Sequence, residues 1–291
     1  MDAEEHATVD PRGGYRAPRT SVQVPKLAGY QFREYFRSRR FVILAFIVVI
    51  IGVILTAVVA HFRGAIVSTN LAFYGSFWGG GVDLVIVLSA VFFGGDAIAG
   101  EFQNKTGYFL MGLPIRRSAV YIGKYIAAYL ASALMLLLFL VILVMNGAYY
   151  FGPGLFPWEL LFSFVLALVY LAAVLGATFL FSSLFKTSAY GFVLTAILFL
   201  FGFSLIQDLL TSLVHIEPWM VISYANSVIG EVFSNPVNWG WAGQTTTTMI
   251  GPRESLVTYT AGVGEGVVIM IAYFFLTTLA GLWLFEREEF T

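Results

Sequence analysis

Cysteine is absent from this chain. That removes disulfides, thiolate nucleophiles, iron–sulfur clusters and cysteine zinc sites together. Histidine is almost as scarce, and His6, His61 and His215 lie far apart, which argues against a histidine metal site. Charged residues make up only 11% of the 291 positions, against about 25% in an ordinary soluble domain. The formal net charge of −1 says little by itself, and no nucleic-acid partner is expected. No G-x-x-x-x-G-K-[ST] loop occurs; the nearest trace, Gly123-Lys124, opens an apolar run and has no glycine loop before it. Rossmann, H-E-x-x-H and G-x-S-x-G patterns are missing too. The chain is expected not to be an enzyme and to hold no cofactor of its own. Met1 to Arg19 is polar and mixed in charge, without the short apolar stretch and small-residue cleavage site of a signal peptide. The first apolar run therefore reads as a retained anchor and first span.

Apolar residues are what the chain has instead: 59% of the total, with 28 Phe and 29 Gly. Phe41 to Ala60 is twenty residues without charge or proline. At about 1.5 Å per helical residue, such a run crosses a hydrocarbon core of roughly 30 Å. Further spans are predicted at Gly79–Gly100, Tyr121–Met145, Leu160–Phe181, Ala189–Ile206 and Gly264–Phe285. The expected class is all-α, a polytopic membrane protein with six transmembrane helices. Residues 1–28 read as a disordered cytoplasmic tail and 29–291 as one transmembrane domain. Fourteen of the basic residues fall in segments on one side of these spans, and only Arg63 and Arg253 on the other. The positive-inside rule then makes both termini cytoplasmic, in a multi-pass protein of the plasma membrane.

Three segments between or before the spans are too apolar for plain loops. In Tyr30–Arg40, Phe32, Tyr35 and Phe36 share one helical side while Arg33, Arg37 and Arg40 share another. This fits a helix in the inner interface, rings in lipid and arginines near phosphate; an ordinary basic flank is the alternative. Phe102–Leu113, on the cytoplasmic side, would expose an apolar face unless a partner protein covers it. Asp208–Gly264 is the longest outer segment. Its Trp219–Phe233 stretch, with Trp219, Tyr224 and Glu231, reads as an amphipathic helix dipping into the outer leaflet, either as a cap or gate or as a loop that closes the bundle.

Few acids lie near the spans. Asp83 is placed at an outer span boundary, hydrating or capping a helix, with a proton-carrying role as the alternative. Asp96 and Glu101 flank the inner mouth of the second span, where they either pair with Arg116, Arg117 or Lys124 or remain solvated end charges. Ala127 with Ala131, and Ala172 with Gly176, have the spacing for close helix approach.

The stretch Gly94–Lys124, GGDAIAGEFQNKTGYFLMGLPIRRSAVYIGK, resembles the segment after the second span in type-2 membrane subunits of ATP-binding cassette (ABC) transporters. The matching positions are Glu101, Thr106-Gly107, Leu110, Leu113, Pro114, Arg116, Arg117 and Gly123-Lys124, with Thr106-Gly107 inverted against the usual order. The resemblance implies an amphipathic helix before span one, a cytoplasmic coupling helix between spans two and three, and an extracellular element between spans five and six. It also implies that Glu101, Phe102, Thr106, Gly107, Phe109, Leu110, Leu113 and Pro114 dock onto a separate nucleotide-binding ATPase subunit, present in two copies, which binds ATP and Mg. Two permeases, identical or related, would pair around the path. The implied function is a permease subunit of an exporter, its cargo a lipid, drug-like molecule, peptide or polysaccharide. A non-transporting membrane scaffold or assembly protein and an ion-coupled secondary transporter remain as alternatives.

Overall fold

Hydrocarbon offers no partner to a peptide N–H or C=O, so each apolar run must close its own backbone bonds, and here each does so as a helix. The computed structural model describes residues 20–62, 67, 69–103, 115–152, 156–234, 237–249 and 255–287. Among these, six helical stretches are long and apolar enough to cross a membrane.

Helix α1 spans Thr20–Arg37. Ser38 then turns extended and caps the next helix, its hydroxyl accepting from the Phe41 amide at 3.3 Å. That helix, α2 (Arg39–His61), is the first span. The second is α3 (Asn70–Gly94), followed through a tight turn by the short α4 (Ala99–Gln103). Helices α5 (Arg117–Phe151) and α6 (Trp158–Leu184) are the third and fourth. The fifth begins as α7 (Ser188–Ile197), widens into a π-helical turn at Leu198–Gly202, resumes as α8 (Phe203–Leu209) and widens again at Leu210–Val214. His215 ends it in the left-handed conformation, with φ of 54°. Helix α9 (Ile222–Glu231) and an antiparallel hairpin, β1 (Gln244–Met249) with β2 (Ser255–Thr260), precede the sixth span, α10 (Val263–Arg287).

Four features depart from the sequence reading. Helix α1 begins at Thr20, so residues 20–28, assigned above to the tail, are helical. Helix α3 begins nine residues before Gly79, capped by the Thr69 hydroxyl, which accepts from the Ala72 amide at 3.1 Å. Within it Gly81 is a packing position: a Cβ there would lie 2.5 Å from Phe139 and 2.9 Å from Leu55. Asp83 consequently sits inside the span, not at its boundary. Span five runs past Ile206, because the polar Gln207 is consumed by a hydrogen bond from Ser223 of α9 at 2.6 Å. Finally, Asp208–Gly264, in which only a helix was read above, also holds a β-strand, paired from Gln244 with Thr260 to Met249 with Ser255; β-branched threonines suit that pleat.

Helix–helix contact in lipid draws on close fit more than on hydrophobic expulsion. The most extensive contact joins α6 to α10. Gly176 makes it possible, since a Cβ there would lie 2.6 Å from Thr277 Oγ1 and 2.8 Å from Thr278 Oγ1. Helix α1 lies along α5, where a Cβ on Gly123 would come within 2.9 Å of Leu27. At the centre, the fully buried Trp78 stacks on Phe139 at 5.6 Å between ring centroids. Its indole N–H donates to Ser163 Oγ at 3.0 Å, and Ser163 donates to the Ile229 carbonyl at 2.6 Å. This line ties α3 to α6 and α6 to α9. Helices α2, α7 and α10 turn most of their apolar surface outward.

Gly176→Val is expected to cost about 1–3 kcal/mol, the usual penalty for overpacking, read as a lower midpoint of thermal unfolding in detergent. Gly79→Ala, whose Cβ would meet nothing within 4 Å, is expected to leave the midpoint unchanged or raise it.

Candidate functional site

The charged residues gather where the second connection leaves the bundle. Helix α3 ends at Gly94, and residues 95–98 turn into α4. Gly95 and Gly191 make this turn compact, because a Cβ on Gly191 would stand 2.5 Å from the Gly95 carbonyl oxygen. The buried Ser182, near the end of α6, accepts from the amides of Ile98 and Ala99, both at 3.1 Å. These are amides that a helix start leaves without intrahelical partners.

Lys124 of α5 reaches into the same corner. Its ammonium pairs with the Glu101 carboxylate and also donates to the Ala97 carbonyl at 2.8 Å. Both side chains are mostly buried, at 13% and 14% exposure. Gln103 adds a third tie, its side-chain oxygen accepting from the Ser188 amide at the start of α7 at 2.8 Å. The start of the connection is thus fastened to α5, α6 and α7.

Asp96 takes a partner that the sequence reading did not assign to it. It pairs with Arg40 in the first turn of α2. Arg40 therefore belongs to the span rather than to the interfacial helix, which Ser38 terminates. Arg116 turns away from both acids: its amide donates to Gln23 Oε1 at 3.1 Å and its guanidinium to Thr20 Oγ1 at 3.3 Å, both on α1. Arg117 donates to the Glu286 carbonyl at the end of α10 at 3.0 Å. The returning end of the connection is thereby held on α1 and α10.

Of the proposed docking residues, the structure places Glu101 and the backbone of Phe102 in α4. Thr106, Gly107, Phe109, Leu110, Leu113 and Pro114 lie outside the described residues. On α1, Arg33 and Arg37 are exposed, Phe36 is exposed and Phe32 is half-buried. Tyr35 is the exception to the expected lipid-facing rings. It is buried against Phe93 at 5.3 Å, and its hydroxyl donates to the Phe93 carbonyl at 2.9 Å. Burial pushes this hydroxyl's pKa up, and Asp96 and Glu34 push it further.

The outer residues do not form one group. Trp219 is exposed, while Glu231 is half-buried and accepts from Ser234 Oγ at 2.7 Å. Tyr224, expected at headgroup level, is fully buried, because α9 lays Ile222, Tyr224, Ala225, Val228 and Ile229 against the bundle rather than into lipid. Its hydroxyl donates to Glu217 and lies 3.4 Å from a Glu265 oxygen. Burial, then these two acids, raise the Tyr224 pKa. Glu217 and Glu265 are distant in sequence and no spacing could have joined them. Gln23, Ser182 and Gln103 were missed for the same reason: isolated polar residues carry no periodic signal. No cluster of three or more metal-ligating side chains occurs among the described residues.

Two measurements probe this arrangement. Lys124→Met removes the cation paired with the buried Glu101 carboxylate and is expected to cost about 3–5 kcal/mol in unfolding free energy. Adding Glu101→Gln should recover part of that loss, the coupling being read by a double-mutant cycle. The tyrosines set an alkaline limit. Folding keeps Tyr35 and Tyr224 neutral where an unfolded tyrosine ionises near 10.0. Their contribution is complete below that pH and falls as pH rises through and beyond it, since the unfolded chain then binds fewer protons. Tyr224→Phe is expected to make the alkaline decline in thermal midpoint shallower.

A family model described as "ABC-2 family transporter protein" matches residues 26–290. No curated protein matches the chain.

Proposed function

The chain belongs to the ABC-2 family of transporter proteins, a membrane permease-type subunit, and on that premise we propose that it forms the translocation path of an exporter driven by a separate nucleotide-binding subunit. Two such permeases, identical or related, pair across the path, each resting on one of two ATPase copies that bind ATP and Mg. Both termini and the connection between α4 and α5 face the cytoplasm, as the bias of basic residues favours. The segment 102–113 is the docking surface, with Glu101 and Lys124 fixing its root.

The observation that carries this reading is the fastening of that root. A connection that merely linked two spans would need no buried ion pair and no amides capped from a third helix. A connection that receives force does need them, because a load on a loose loop would be lost in loop motion. Here a push on α4 passes to α5 through Lys124, to α6 through Ser182, to α7 through Gln103 and to α2 through Asp96 and Arg40. ATP binding closes the partner dimer, the connection moves, and the spans tied to it rock together against the opposing permease. Two-state switching of this kind works through rigid elements whose relative placement changes. The permease supplies the path and the ATPase the free energy. The mostly apolar spans favour an amphipathic cargo.

Paired alanines at Phe109 and Leu110 test the docking surface. The expected result is about tenfold weaker co-purification with the ATPase subunit, or loss of cargo-stimulated ATP hydrolysis, with membrane insertion unchanged. Unaltered assembly and coupling would remove the docking surface from this segment. Intact assembly without any cargo movement by the wild-type complex would favour a scaffold.

A further inference from the structure

Helices α2 and α7 both lean on α3, have little contact with each other, and leave a cleft of about 310 Å³ between them. Its polar lining is the charged Arg40 and Asp96 with the Ser188 hydroxyl; its apolar wall holds Phe92, Phe192 and Val193. The Phe92 and Phe192 rings meet edge-on at 5.9 Å. Volume and lining match those of small-molecule sites, which are mostly apolar with a few placed polar groups.

The order of these residues along the membrane normal identifies the occupant. Arg40 stands in the first turn of α2, beside the exposed Arg37 and Arg39, at the depth where basic side chains meet phosphate. Phe92 lies one helical turn before Asp96 on the way into the membrane, and Phe192 one turn after Ser188. The charged end thus faces the headgroup layer and the apolar wall runs into hydrocarbon, the arrangement of an amphiphile's head and tail. The head site holds one charge of each sign. Arg40 is the accessible partner, 57% exposed, with Asp96 behind it at 19%. Nη1 engages Asp96, and the guanidinium fork carries further donors that suit a phosphate.

We propose that this cleft binds a zwitterionic, ethanolamine-type phospholipid of the adjoining leaflet. Its phosphate sits on Arg40, its ammonium on Asp96, and one acyl chain lies against Phe92, Phe192 and Val193. An anionic glycerol headgroup brings no cation for Asp96, and a choline head brings no N–H donor. The assignment requires that the spans cross a bilayer and that this cleft opens to lipid rather than to a second copy of the chain; it is independent of the ATPase partner.

Native mass spectrometry of the full chain in detergent, with added phosphatidylethanolamine, phosphatidylcholine or phosphatidylglycerol, tests it. Wild type is expected to retain one phosphatidylethanolamine about five- to tenfold better than either other lipid, the scale of one charge-assisted hydrogen bond. Arg40→Ala should abolish that preference. Val193→Trp fills the cleft away from the ion pair and should abolish retention with thermal unfolding unchanged, which keeps the test decisive if Arg40→Ala fails to fold. Equal retention of the three lipids, preference for the glycerol head, or undiminished binding by Val193→Trp would overturn the proposal. So would lipid-free protein that forms disulfide dimers through Val193→Cys, since a second copy of the chain would then occupy the cleft.

Discussion

The buried ammonium of Lys124 is the constraint around which one end of the bundle is arranged. A cation withdrawn from water costs several kcal/mol unless an anion and further acceptors replace its hydration. Glu101 and the Ala97 carbonyl do so, and both belong to the turn between α3 and α4. Satisfying Lys124 therefore fixes where that turn lies on α5. Once the turn is fixed, its free amides fall beside Ser182, Gln103 falls at the start of α7, and Asp96 falls opposite Arg40. One electrostatic requirement brings six helical elements to a single corner.

The interior of the bundle follows a different rule. Lipid tails are as apolar as leucine, so expelling side chains from them drives little association. Fit takes over, and fit here depends on missing Cβ atoms: Gly176 admits the threonines of α10, Gly123 admits α1, and Gly81 admits Phe139 and Leu55. The same scarcity of charge that marks the chain as membranous leaves the ion pairs among the described residues at the helix ends. Charge therefore decides how the helix ends are joined, and steric complementarity decides how closely the helices lie.

This division explains how much could be read beforehand. Long apolar runs, such as Phe41–Ala60, located the spans, because hydrocarbon leaves a helix as the only local solution. Boundaries failed where a residue has two uses. The second span was begun at Gly79, nine residues late, so its acid Asp83 was placed at the outer boundary, although Gly81 beside it is a contact inside a helix that starts at Asn70. Tyr35 fits an interfacial ring by periodicity, but the proximity of Phe93 draws it inward. The candidate site was half legible. Asp96, Glu101 and Lys124 stood out as charges beside apolar runs, whereas their pairing with Arg40 and their support from Ser182 and Gln103 depend on tertiary placement that no spacing encodes.

The two ends of the molecule are joined by α6. Its Ser182 holds the turn at the corner around Lys124, and its Ser163 holds the Ile229 carbonyl of helix α9 at the other end. Nineteen positions separate them on one uninterrupted helix, roughly 28 Å at the α-helical rise. The fifth span is built otherwise, with two π-helical turns that interrupt the regular ladder. A displacement imposed at the corner around Lys124 therefore has a stiff route to the opposite end through α6 and its contact with α10, and a compliant neighbour in the fifth span that can absorb a difference in length or tilt. On the proposed mechanism this contrast has a direct consequence: α6 carries the push outward to α9 while the fifth span bends, so that access at the outer end changes without breaking the inner corner that drives it.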